Sequence, residues 1–299
     1  MPNLIDNLYT TDSSGNTRTI VDTNGRIYLG IESGKQWFVD TVNGTAGNDG
    51  KSWDKPFLTM AAAFAVIGSR DTIYMIGKVR EQLIAPLGVY GVKIIGADTA
   101  PRHDLAASWM APASGAVSSK ALCEIIEQGW VFENILFVST TTAPAILMTR
   151  AEDAVHPDPS HAMFIGCRFF GVDGITDVGG CFGVKVIKCQ FYGLSGTAIK
   201  QNGVSIDTPT AWKIEDCEFI SCTNAIVKPM NWGTIRNCVF STNTVTINLT
   251  GGTAPNYILK NYFNIAAADF DPAGGVTGVT GDLWYNYLTD AVEQGLPAN

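Results

Sequence analysis

Carboxylates are the side chains in this sequence with the widest chemical reach. Asp173 and Asp177 lie close together, and Glu215 and Glu218 flank Asp216 in the run Ile214-Glu-Asp-Cys-Glu-Phe219. Glycoside cleavage needs two carboxyl groups roughly 5–10 Å apart, a spacing that strands stacked side by side can supply. These four are the catalytic candidates, set against a simpler reading as a solvated acidic face. Trp109, Trp212 and Trp232 are candidate ligand-binding platforms, because an aromatic face pairs with the apolar face of a sugar. Packing inside the protein or between subunits explains them equally well. The histidines are His103, His156 and His161. The stretch His156-Pro-Asp-Pro-Ser-His161 could offer a metal two imidazoles and a carboxylate, but its prolines and polar residues read as a solvated turn. No metal and no cofactor is expected.

The composition narrows the classes. Of 299 residues, 46% are hydrophobic and 16% charged, with 31 Gly and 14 Phe, which suits a turn-rich β protein with a large core. The net charge of −8 and the lack of any basic run exclude an electrostatic nucleic-acid binder. No apolar run is long enough for a membrane-spanning helix, and no basic-then-apolar leader opens the chain. The seven cysteines lack C-x-x-C spacing, which argues against a disulfide framework or a zinc site.

The elements that must position any site come from a repeat. Hexads of the form apolar, any, turn-type, Cys or apolar, any, Phe begin at Phe132, Phe164, Val186, Ile214 and Ile235. A degenerate sixth is read as Leu259-Lys-Asn-Tyr-Phe-Asn264, with Tyr262 in the cysteine position. The third residue is Asn134, Gly166, Asp216, Asn237 or Asn261, types that tolerate a left-handed bend; Lys188 is the exception. Residues four and six share parity, so both point to one side of a strand. A second apolar step follows at Ala198-Ile199, Ala225-Ile226 and Thr246-Ile247. No copy can bury its own apolar face, so the copies must stack. Stacking puts Cys167, Cys189, Cys217 and Cys238 in one internal ladder and Phe169, Phe191, Phe219 and Phe240 in another. The expected fold is therefore all-β, a right-handed parallel β-helix with coils of about two dozen residues.

The ends are irregular. Trp37-Phe-Val-Asp40 reads as a strand, Gly44 to Gly50 as a turn cluster, and Thr59 to Ile67 as a capping helix with Thr59 at its N-cap. Strands follow at Asp71–Met75 and Val92–Gly96. Residues 97–120 read as a long inserted loop, and long loops on a rigid frame are common binding surfaces. Thr19 to Leu29 reads as a hairpin about Asn24-Gly25. Asp282 to Gly295 reads as a C-terminal helix. The expected organisation is 1–34 as a docking or hairpin segment, 35–265 as the β-helix with its cap, and 266–299 as a C-terminal cap or oligomerisation segment.

The lead-in string, from Phe38-Val-Asp40 through Ala46-Gly-Asn-Asp-Gly50 and Ser52-Trp-Asp-Lys-Pro-Phe57 to Asp71-Thr-Ile-Tyr-Met75, resembles that of the pectate-lyase-like β-helix superfamily, in particular its bacteriophage tailspike and virion-surface branch. The resemblance covers roughly 37–96, and the repeats extend it to about 265. It implies a virion component, a homotrimer, other virion proteins as partners of the N-terminal segment, and host-surface polysaccharide as a possible ligand. It does not bring a catalytic motif: the Asp-Asp and Gly-His-Gly motifs of polygalacturonases and the arginine signature of the lyases are missing. The expectation is a structural or adhesive spike on the virion, with a polysaccharide lyase or hydrolase as the alternative.

Overall fold

The computed structural model describes residues 9–11, 17–19, 34–97, 107–149, 159–201, 211–228, 230–249 and 255–264, and the backbone of short strands between 276 and 294. The chain divides into two units, Met1–Gly34 and Lys35–Asn299. In the first, Tyr9–Thr11 pairs antiparallel with Thr17–Thr19, Tyr9 opposite Thr19. The Asn24-Gly25 turn expected there lies outside the described residues.

The second unit is a parallel β-helix. Its strands form three parallel ladders, one per side of each winding. A ten-strand ladder runs from Gln36–Asp40 through Lys93–Gly96, Met163–Ile165 and Thr234–Arg236 to Leu283–Trp284. A second ladder carries the phenylalanines, and a third carries Ile146, Ile175, Ile199, Ile226 and Ile247. Leu136–Met148 and Arg168–Asp177 run continuously through the second and third ladders. The central inward residues of these strands, such as Ile94, Phe164, Phe191 and Ile199, are apolar and buried, so each winding shields the next.

Three chemical devices fix the register. The first is the stack of rings. Phe137, Phe169, Phe191, Phe219, Phe240 and Phe263 lie one above another with centroids 4.7–5.1 Å apart and planes within 14°. Each buried Phe contributes about 1.5–3 kcal/mol by leaving water. The second is the bend. Asn134, Gly166, Lys188, Asp216, Asn237 and Lys260 all hold φ between 53° and 60°. Lys188 thus adopts the same left-handed corner as its neighbours, and the stacked coils supply what its side chain does not favour.

The third device is the cysteine ladder. All seven cysteines are free and buried. The thiols of Cys167, Cys189 and Cys217 each donate, at 3.4 Å, to the carbonyl of the first hexad residue one winding earlier: Phe132, Phe164 and Val186. Burial pushes the thiols of Cys189 and Cys238 up, so they stay protonated and act as small core residues.

The sixth hexad shifts by one residue from its expected register. Ile258 pairs with Ile235 and Phe263 with Phe240, which places Asn261, not Tyr262, at the cysteine position. Asn261 is buried and clamps the previous bend: its Oδ1 accepts from Cys238 N at 2.9 Å and its Nδ2 donates to Ile235 O at 3.0 Å. Asn243 and Asn256 repeat the same clamp on Cys222/Phe219 and Gly233/Met230.

The lead-in segment closes the first winding. The helix spans Met60–Phe64, shorter than expected, with Thr59 Oγ1 accepting from Ala62 N. The carboxylate of Glu81 takes the free N–H groups of Met60 and Ala61, both at 2.8 Å. Phe64 reaches down onto Trp109 and Trp130, plugging the open end of the core. The Gly44–Gly50 turn is shaped by close approach: a Cβ on Gly44 would fall 2.5 Å from the carbonyl oxygens of Asp40 and Phe57. At the other end, Leu283–Trp284 and Asn286–Leu288 continue the parallel ladders, and Ala291–Gln294 folds back antiparallel. The helix expected over 282–295 is therefore replaced by strands, because the last winding offers open edges to pair with.

Candidate functional site

The four candidate carboxylates do not share a face. Asp173 and Asp177 lie on Arg168–Asp177, Glu215 on the ten-strand ladder, and Glu218 on the phenylalanine ladder. Each has a partner on another winding, adjacent for Asp173, Glu215 and Glu218 and two windings on for Asp177. Asp173 accepts from Thr197 N and Lys200 Nζ, both at 2.6 Å. Glu215 pairs with Arg236 Nε at 3.0 Å, and Glu218 Oε2 accepts from Gln190 Nε2 at 2.8 Å. Asp177 is fully buried, so it cannot meet a substrate on the coil surface, as its candidacy required.

Two of the three tryptophans are core residues instead of platforms. Trp109 is fully buried and pairs in register with Val79 and Phe137. It is the member of the ring stack that precedes Phe137, 6.2 Å away, and its Nε1 donates to Glu81 O. The strand Ser108–Met110 that carries it lies inside the stretch expected to be one long loop; only 98–106 of that stretch is outside the described residues. Trp212 is also fully buried, its Nε1 donating to Cys181 O at 2.8 Å. Trp232 is 56% exposed, at a bend with φ 57°. His161 sits at a bend with φ 60°, its ring edge-on to Phe182, while His103, His156 and Asp158 are outside the described residues. Among the described residues no cluster of three metal-ligating side chains is present.

The polar cluster that the fold does assemble is internal. In the third ladder Asp177, Gln201 and Lys228 occupy one inward column on successive windings, two residues beyond Ile175, Ile199 and Ile226. Lys228 Nζ lies 2.6 Å from Asp177 Oδ2, and neither side chain is exposed. The ammonium also rests 4.0 Å from the centroid of the Trp212 ring. Burial pulls the Lys228 pKa down against the opposing pull of Asp177. Sequence reasoning misses Lys228 and Gln201, although the signal is there: a polar residue two places after a core Ile keeps its parity.

One exposed side with capacity for contact is the outer surface of the phenylalanine ladder. There Phe170 and Tyr192 stand 5.5 Å apart, Tyr192 half exposed, and Arg168, Gln190 and Glu218 occupy the adjoining outward column. Aromatic faces beside fixed hydrogen-bonding groups are what a sugar chain requires.

Together the ladders, bends and lead-in cap define a parallel β-helix. No family model matches the chain, and no curated protein matches it. Among solved structures it is similar to the pectin methylesterase from Aspergillus niger in deglycosylated form, at 14% identity and TM-score 0.53, covering 88% of this chain and 92% of that one. A rhamnogalacturonan lyase matches at 13% identity and TM-score 0.39, covering 88% and 90%. ORF18 of Geobacillus virus E2 matches at 14% identity and TM-score 0.41, covering 94% and 67%. At these identities the likeness is one of fold.

Proposed function

We propose that the chain is a structural and adhesive component of a bacteriophage-like virion, a short β-helical spike decorating the capsid or attached to the tail. In this reading it forms a homotrimer, residues 1–34 dock to other virion proteins, and the outer side of the phenylalanine ladder touches host-surface polysaccharide. The observation that carries it is the state of the carboxylates. All four candidates for acid–base work are held by partners on other windings, while Tyr192 and its polar neighbours remain presented on the outside. The ten-strand ladder, with strands spaced at about 4.8 Å, amounts to roughly 45 Å of shaft, short for sustained digestion of a polymer and sufficient for adhesion.

Antibody to the purified chain should label intact particles, and the chain should retain acidic polysaccharide without releasing reducing ends or unsaturated products. Particles that stay unlabelled remove the virion reading. Release of unsaturated or reducing ends would replace adhesion with depolymerisation.

A further inference from the structure

The Asp177–Lys228 contact is arranged unlike an ordinary ion pair. Asp177 Oδ1 accepts from Gly179 N and Gly180 N at 3.0 Å, from Cys181 N at 3.3 Å and from the Cys181 thiol at 3.1 Å. Oδ2 takes Lys228 Nζ at 2.6 Å and Cys181 N at 3.1 Å. Donors are thus gathered mainly on one carboxyl oxygen, and a potential nucleophile stands at the other, both away from water. Burial also favours the uncharged amine of Lys228 over its ammonium. On the winding between them, the carboxamide oxygen of Gln201 is buried with no hydrogen-bond partner among the described residues. A buried acceptor without a donor calls for an explanation.

We propose that Asp177 and Lys228 condense into an intramolecular isopeptide bond. A proton passes from the Lys228 ammonium to the Asp177 carboxylate, leaving a neutral amine and a neutral carboxylic acid. The Nζ lone pair then attacks Cγ, and the negative charge that develops on Oδ1 is held by the Gly179, Gly180 and Cys181 N–H groups and the thiol. The Cγ–Oδ2 bond breaks, and Oδ2 leaves as water with one proton from the acid and one from nitrogen. One ammonium and one carboxylate become one secondary amide and one water, with no oxidant and no external proton. The new amide N–H faces the winding that carries Gln201, whose free oxygen supplies an acceptor. The Trp212 ring over the nitrogen keeps water out and protects the product from hydrolysis. The bond would join residues 51 positions apart and tie two windings together across a third. It stands independently of the virion reading.

The test is the mass of the purified full chain under denaturing conditions. The expected value is the sequence mass less one water, with proteolysis yielding a branched peptide that joins the segments containing Asp177 and Lys228. Lys228→Arg should restore the full mass. Full mass in the native sequence, with the two segments recovered only as separate linear peptides, overturns the proposal. So does a water deficit that persists in Lys228→Arg. The peptide map comes from the native sequence, so the proposal stands or falls without regard to how well that variant folds.

Discussion

Between Lys35 and Gly96 the solenoid is held by polar clamps that each occur once, whereas between Met163 and Asn264 it is held by repetition. In the first region the buried carboxylate of Asp71 accepts from Lys35 N, Trp37 Nε1 and Gly68 N, pinning the first strand, the second winding and the end of the helix together. Glu81 fixes the start of the helix, and Asp40 folds the turn after its strand by accepting from Val42 N and Asn43 N. In the second region, the buried Asp177 cluster apart, the load is shared. The same ring, thiol and bend recur, and each copy is supported from above and below. A chain that begins a stack has a neighbour on one side only, so it needs directional bonds where the middle can rely on shape.

This contrast can be broken experimentally. The largest effect should come from Phe191→Ala, which removes the central ring of a stack whose neighbours lie 4.7 and 4.8 Å away. A loss of about 3–5 kcal/mol is expected in urea unfolding, and a cost below about 1 kcal/mol would show that the ladder can collapse around the gap. Asp71→Ala should follow, leaving three donors without their acceptor at a cost of roughly 1–3 kcal/mol. Its signature is regional: hydrogen exchange should rise at Lys35–Asp40 while the Phe ladder stays protected.

Asn261→Ala strips the clamp from Cys238 N and Ile235 O and should cost about 1–2 kcal/mol, less if water enters the site. Asn261→Cys would extend the thiol ladder by one rung and should recover part of that loss. Equal losses for the two would show that the clamp, not the ladder, governs that corner. The smallest effect concerns Asp40. Burial would raise its pKa, but the donors of Asn43 and Val42 outweigh burial and hold it below its ordinary value. Because the folded value is lowered, its contribution to stability is present above the unfolded value and is lost as pH falls through the folded one. Asp40→Asn should therefore flatten the acid limb of stability against pH. An unchanged limb would place the acid sensitivity of the lead-in elsewhere.

The sequence carries the repeat because parity and bends are local. Cys and Phe two residues apart, after a residue suited to positive φ, can be read from one hexad without knowing the rest. The same locality explains the slip at the sixth copy. Ile258-Leu259 and Tyr262-Phe263 each offer two acceptable residues for one position, and the pairing with the preceding winding decides between them. Trp109 reads as a loop residue in sequence because the strand holding it has three residues and no hexad before it. Only stacking against Val79 and Phe137 makes it core. The internal Asp177–Lys228 pair needs a long-range fact, the alignment of two windings, that spacing alone does not give.

The corner between the third ladder and the ten-strand ladder has a consequence for how such a shaft can change. Met148 to Met163, Gln201 to Lys213 and Asn248 to Tyr257 all cross it, with intervals of unequal length, yet the rings on either side keep their stacking. Sequence can therefore be added or exchanged along that edge without disturbing the mould that holds it. The molecule thus holds its stacked rings constant while the length of chain between ladders is left to vary.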